Sequence, residues 1–119
     1  MSEREKYAYE LILEHLKVCE KRFSEINSPT DFVSSDYGNT LLDAIAVRLQ
    51  AVGENLKRLL KHSSLLKEKY PDIEWDNIIQ FRDFISHHYE KLDYEIIFDI
   101  CENDLPQLIN TIQKELEQH

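Results

Sequence analysis

The sequence predicts an all-α protein, an up-and-down bundle of four or five helices in a single domain that spans residues 1–119. Two observations support this fold class. The chain has only 2 Gly and 3 Pro among 119 residues, which leaves few of the residues that tight turns and hairpins need. Its apolar residues recur at helical spacing through most of the chain, and segments of that kind bury their stripes against one another.

The first half of the chain contains two long amphipathic segments. The first is expected to form a helix from Ser2 to Ile26, with Ser2 and Glu5 resembling a capping box. It should end at Asn27-Ser28-Pro29, since a proline disfavours helical geometry at the residue before it. Residues 30–38 are expected to form the connection between the first two helices, with one short turn starting at Thr30. The second helix is expected from Asn39 to Lys61.

The second half of the chain is expected to form shorter helices. A short helix is expected through Leu65-Leu66, and a third main helix from Trp75 to about Ser86. Asp93 has the position of an N-cap for a fourth helix. Asp104 followed by Pro106 fits a new start or a kink before a final amphipathic helix.

Composition and charge restrict the function classes. No apolar run reaches the roughly 20 residues that cross a bilayer, and the N-terminus lacks a signal-peptide core. We therefore expect a cytoplasmic protein without membrane contact. Cys19 and Cys101 match no redox or zinc spacing and are expected to be ordinary thiols.

Charge is distributed unevenly. The net charge is −9, which disfavours general affinity for nucleic acid. The segment from Arg48 to Lys69 nevertheless carries six basic residues and two acids, a net +4, against −13 for the remainder. It is either a solvated helix face or a basic patch that confines RNA to one groove.

The densest polar cluster is the segment 82–89, at the end of the third main helix. Positions 82 and 89 are almost two turns apart and share a helix face, whereas His87 lies roughly 140° around the axis from Arg82. A single site with all three residues requires the helix to end or distort near Ser86, or requires a second subunit. An imidazole accepts a proton near neutral pH, and a guanidinium binds and neutralises phosphate, so the pair suits RNA cleavage without a metal. Alternatively, Arg82 pairs with Asp83, Glu90 or Glu54, and the histidines cap the helix.

The arrangement Arg82-x4-His87-x-Tyr89 resembles the Arg-x4-His-x-Tyr motif of HepT toxins in the HEPN superfamily. Its flanks are similar too, and the resemblance covers about residues 41–112. The flanks are Val52-Gly53-Glu54, the lead-in 70–75 ending at Trp75, the segment 92–97, and Asp104-Leu105-Pro106. The chain departs from the family pattern with Glu74 where proline is common, Gln80-Phe81 where Gly-Met is common, and His88 at the variable position.

The resemblance implies a homodimer with a composite cleft, metal-independent RNA cleavage by Arg82 and His87, and no cofactor. It also implies a nucleotidyltransferase antitoxin of the MNT type that attaches AMP to Tyr89. Glu54 is a candidate to orient Arg82, and His88 is a candidate for the working imidazole in place of His87. A zinc site from His62, His87, His88 and Cys101 fits no known ligand spacing. The alternatives are a non-catalytic HEPN module that binds a nucleotidyltransferase, a nucleotide or RNA, and a purely structural bundle.

Overall fold

A computed structural model describes residues 1–63, 65–87 and 93–118, and for residues 82–87 it describes the backbone alone. The described residues form helices joined by short connections, with no strand among them. In chain order the elements are α1 (Glu3–Phe23), a 3₁₀ turn (Pro29–Phe32), α2 (Asp36–His62), α3 (Leu65–Lys69), α4 (Trp75–His87), α5 (Tyr94–Asp99), a π turn (Ile100–Asp104) and α6 (Leu105–Glu117). The predicted all-α bundle is confirmed.

Helix α1 begins as the sequence predicts and ends earlier. Ser2 is its N-cap, and the Ser2 hydroxyl accepts a hydrogen bond from the Glu5 N–H at 3.1 Å. The same hydroxyl donates to the Glu5 carboxylate at 3.2 Å. In this variant of the capping box, the two side chains are therefore joined directly. The helix stops at Phe23, three residues before the predicted Ile26.

Helix α2 begins three residues before the predicted Asn39. Ser35 is its N-cap, and its hydroxyl accepts from the Gly38 N–H at 2.9 Å. Gly38 therefore belongs to the first turn of α2 and not to the connection. A Cβ at this position would lie 2.0 Å from the backbone oxygen of Asp31. The glycine is there because the 3₁₀ turn crosses directly against the helix.

The core lies where α1, α2 and α6 meet. The pairs Cys19–Ile45 and His15–Arg48 are joined by hydrogen bonds, and this order shows that α1 and α2 run antiparallel. Helix α6 packs on α1, and α4 packs on α2. Among the described side chains, those with no exposed surface are Ile12, Leu16, Cys19, Phe32, Ile45, Ala46, Leu56, Ile97 and Ile112. Their burial holds α2 in place as the central helix, which in turn positions α4.

The last two helices are joined without a break. Asp93 caps α5, and its carboxylate accepts from the N–H groups of Glu95 at 3.0 Å and Ile96 at 3.2 Å. The predicted start or kink near Asp104 is a π turn, in which the Leu105 N–H donates to the Ile100 carbonyl five residues back. Pro106 supplies the physical reason, since it has no N–H with which to continue the regular pattern.

No helix in the described part of the chain is both long and apolar enough to cross a membrane. The short helix expected at Leu65-Leu66 is present as α3.

Candidate functional site

Helix α4 carries the first part of the predicted catalytic segment. Its N-terminal end is fixed by Trp75, which is 3% exposed and whose indole N–H donates to the Tyr70 carbonyl at 3.0 Å. Ile78 and Phe81 are half-buried against the core. The helix continues to His87, one residue beyond the predicted end near Ser86. Its amino-terminal half is thus held rigidly against the bundle.

For the predicted catalytic residues in this helix, the structure describes the backbone only. Positions 82 and 87 belong to one continuous α-helix, about 7.5 Å apart along its axis and about 140° apart around it. The side chains of Arg82 and His87 lie outside the described residues, and so do His88 and Tyr89. The candidate contact of Arg82 with Glu54 falls outside them as well. Glu54 itself is half-buried on α2.

An acidic groove of about 400 Å³ lies between α4 and the α5–π-turn segment. Its polar lining includes the carboxyl groups of Glu74, Asp99 and Asp104, and Phe81 and Ile96 supply its apolar part. Burial raises the pKa of Asp104, and the charges of Asp99 and Glu74 raise it further. This side of α4 therefore disfavours the binding of anions.

The predicted basic segment 48–69 divides into two parts. Arg48, Lys67 and Lys69 are engaged: Arg48 contacts His15, Lys67 pairs with Asp76 at 2.8 Å, and Lys69 pairs with Glu115 at 2.8 Å. Lys57, Arg58 and Lys61 are exposed on the last turns of α2. The segment is thus not one uniform patch, and its available cations are concentrated at the end of α2.

The structure pairs His15 with Arg48, which the sequence analysis did not. Arg48 Nη1 lies 3.0 Å from His15 Nδ1. Because a guanidinium only donates, Nδ1 is the acceptor and the neutral ring carries its proton on Nε2. Burial lowers the pKa of His15, and the Arg48 charge lowers it further, while Glu14 acts in the opposite direction.

A second network missed from the sequence surrounds Glu115, which is 7% exposed on α6. Its carboxylate accepts from the Tyr70 hydroxyl at 2.8 Å and from Lys69 Nζ at 2.8 Å. Burial, together with the Glu115 charge, raises the pKa of the nearby Tyr9 to about 12. The network ties the loop before α4 to α6, so it supports the segment that leads into the predicted site.

The described side chains include no group of three or more His, Cys, Asp or Glu residues placed to hold a metal ion. Cys19 and Cys101 are both buried and unpaired with each other. Burial raises the pKa of the Cys19 thiol to about 12 and raises that of Cys101 as well. These are inert thiols in the folded protein, as the sequence analysis expected.

Comparison with known proteins bears on the chain as a whole. A protein of Caldanaerobacter subterraneus named "Putative RNase" is 29% identical over 109 residues, which cover 89% of this chain and 92% of that protein. A "Putative RNase" of Methanocaldococcus jannaschii is 35% identical over 71 residues, covering 60% of this chain and 56% of that protein.

A third relative, from the same archaeon, is named "Gamma-glutamylcyclotransferase and putative RNase". It is 28% identical over 107 residues, which cover 90% of this chain and 45% of that protein. The chain thus spans about half the length of two of these three relatives. No solved structure matches the chain.

The family model described as "Ribonuclease HepT-like" matches residues 12–115. That range runs from the core of α1 to the last turns of α6 and contains the whole segment 82–89. The chain therefore belongs to the HepT-like ribonuclease family.

Proposed function

We propose that this protein is the toxin of a HEPN/MNT toxin–antitoxin pair, a metal-independent endoribonuclease that cleaves RNA with Arg82 and His87. The observation that carries the proposal is the segment Arg82-x4-His87-x-Tyr89 on and after α4, in a chain that matches the HepT-like family over residues 12–115. The names of the relatives support RNA as the substrate class.

The proposed chemistry needs only the two side chains. His87 takes the proton of a ribose 2′-hydroxyl, and the resulting oxygen attacks the adjacent phosphorus. A 2′,3′-cyclic phosphate forms as the bond to the 5′-oxygen breaks, and that oxygen leaves with a proton taken from water. Arg82 binds the phosphate oxygens and offsets the charge that develops on them.

The backbone geometry of α4 supports a cleft built from two chains. Within one helix, positions 82 and 87 differ by about 140° in direction. Two copies related by a twofold axis can bring Arg82 of one chain to His87 of the other. The acidic groove on the α5 side of α4 would exclude RNA from that face, so the cleft would use a part of the helix outside the groove.

Regulation follows from the same arrangement. An MNT-type nucleotidyltransferase would attach AMP to Tyr89, two residues from His87. The added phosphate would compete with RNA for Arg82, as a phosphorylated side chain does beside an arginine. We place both proteins in the cytoplasm.

The catalytic proposal is tested by cleavage of labelled RNA in the presence of EDTA. We expect His87→Ala to lower the rate on the order of 10²–10⁴-fold and Arg82→Ala on the order of 10²–10³-fold. His88→Ala is the matched control and should retain activity. Full activity of His87→Ala, loss of activity only in His88→Ala, or abolition of wild-type cleavage by EDTA would contradict the assignment.

The two-chain cleft is tested by mixing the two inactive variants. In a mixed dimer of Arg82→Ala and His87→Ala, one cleft regains both wild-type side chains if they come from different subunits. Random exchange should then restore about a quarter of wild-type activity. No recovery in a sample that light scattering shows to contain mixed dimers would place both groups in one chain.

The regulatory proposal is tested by co-expression with the nucleotidyltransferase and mass spectrometry. Tyr89 should gain the mass of one or more AMP units and the modified protein should lose activity, whereas Tyr89→Phe should gain none. An unmodified, inhibited toxin would show that the partner acts by binding alone.

A further inference from the structure

Four of the five arginines of the chain lie along one seam, the line where α1 and α2 run side by side. The fifth is Arg82 of the motif. At one end of the seam, Arg4 of α1 and Arg58 of α2 line the same groove. In its middle, Arg48 contacts His15 across the two helices, and at the far end Arg22 Nη1 donates to the Ala44 carbonyl at 3.5 Å.

The groove at the first end has a volume of about 600 Å³. This volume lies within the range of small-ligand sites. Its apolar floor is made by Ala8, Leu11 and Leu59, and Tyr7 stands at the edge with 67% of its surface exposed. A large aromatic ring that is mostly in water next to an apolar floor is available for stacking.

The cations of the groove are free to bind an anion. Within the described residues, neither Arg4 nor Arg58 makes a hydrogen bond or an ion pair. The one carboxylate in the lining, Glu5, accepts the hydroxyl hydrogen bond of Ser2. His62 completes the lining on the last turn of α2.

The groove continues into the rest of the seam by helical register. Residues 4, 8, 11 and 15 are successive positions on one face of α1, and residues 62, 58, 55 and 48 recur on the facing side of α2. Arg58 and Arg48 are therefore about 15 Å apart along α2. The seam is an extended track of guanidinium groups on a protein whose net charge is −9.

We propose that the α1–α2 seam binds single-stranded RNA, with a base on Tyr7 over the apolar floor and phosphates on Arg4 and Arg58. Unpaired bases stack on aromatic rings, and a basic groove follows the backbone. Arginine suits this task because its planar fork matches phosphate. An acidic surface elsewhere confines the strand to the seam. This inference rests on the proposed function for its substrate class, and it adds a binding track separate from the cutting residues.

The test measures binding of a labelled oligouridylate of about ten nucleotides by fluorescence anisotropy, in an Arg82→Ala background that slows its cleavage. Arg58→Ala should weaken binding roughly tenfold, and the slope of log affinity against log salt should fall by about 0.7, the value for one lost phosphate contact on a single strand. Lys57→Ala is the matched control, since it removes the same charge from the adjacent exposed position outside the groove lining.

Tyr7→Ala gives the second, independent readout. Loss of one stacked base should weaken binding on the order of tenfold while the salt slope stays the same, because stacking releases no counterions. Equal effects of Arg58→Ala and Lys57→Ala, or unchanged binding by Tyr7→Ala, would overturn the proposal. So would a fall in the dimer mass of both groove variants by light scattering, which would make the seam a contact between two copies.

The two proposals can fail separately. Absence of cleavage by the wild-type protein, with Arg58-dependent binding intact, would contradict the ribonuclease proposal alone. Normal cleavage of RNA, with binding indifferent to Arg58 and Tyr7, would contradict the seam alone.

Discussion

Replacing Gly38 by alanine tests how closely the 3₁₀ turn and α2 are packed. The new Cβ would lie 2.0 Å from the Asp31 carbonyl oxygen, and ordinary contact begins at 3.4 Å, so the two backbones must separate by 1.4 Å (3.4 − 2.0). The turn cannot shift easily. The Asp31 carboxylate accepts from the Asn27 N–H at 2.8 Å and the Ser28 N–H at 3.1 Å, and Phe32 beside it is fully buried.

Two opposing effects set the change in the free energy of unfolding. Gly38 is in a helix without a positive φ, so alanine by itself should stabilise the chain by about 1 kcal/mol. Overpacking against a fixed backbone costs about 1–3 kcal/mol, and the tethers at Asp31 place this site at the upper end. We expect a net loss of about 2 kcal/mol, which lowers Tm by about 6–10 °C in a chain of this size.

The assay is urea denaturation followed by circular dichroism, with Asn39→Ala as the control. Asn39 is the exposed neighbour of Gly38 on α2, and its replacement should change the free energy of unfolding by less than about 0.5 kcal/mol. A Gly38→Ala protein as stable as the wild type, with the control also unchanged, would refute the close packing of the turn on the helix.

Three further predictions concern local contacts. The pKa of His15 is lowered by burial and by Arg48, so the fold favours the neutral ring. This contribution to stability is present above the ordinary pKa of 6.5 and is lost as pH falls below it. An NMR titration should give a His15 pKa under 6.5. Asp93→Ala removes the cap of α5 and should cost about 1 kcal/mol in denaturant unfolding, whereas a neutral result would show that the cap is not formed in solution. Tyr70→Phe leaves Glu115 without its hydroxyl donor and should cost about 1–2 kcal/mol; no change relative to wild type would mean that water replaces the donor.

Helix type and approximate helix positions could be predicted from the sequence, because apolar spacing and capping residues are local signals. Ser2, Asp93 and the short helix at Leu65-Leu66 are examples of such signals. The start of α2 could not be predicted, because a glycine is typical of a connection and the packing of the 3₁₀ turn against Gly38 is not visible in the sequence. The π turn was equally hidden, since Pro106 is compatible with both a break and a continuous helix.

The candidate site was predictable only in part. The motif at 82–89 stands out in the sequence and lies within the family match, but its side-chain geometry depends on tertiary and subunit contacts that spacing does not contain. The arginine seam required the antiparallel register of α1 and α2, which joins Arg4 to Arg58 and His15 to Arg48. The basic residues counted in segment 48–69 include the two seam arginines of α2, but not the two of α1.

The π turn at Ile100–Asp104 also constrains how this chain can change in length. Each residue of a helix advances the side chains by about 100°, so deleting one residue here would rotate all of α6 about its axis. Leu108, Ile109 and Ile112, which are buried against the bundle, would swing away from it, and polar neighbours such as Gln107 would turn inward. The π turn therefore sets which side of α6 faces the bundle, and single-residue deletions there should be far more damaging than substitutions at the same positions.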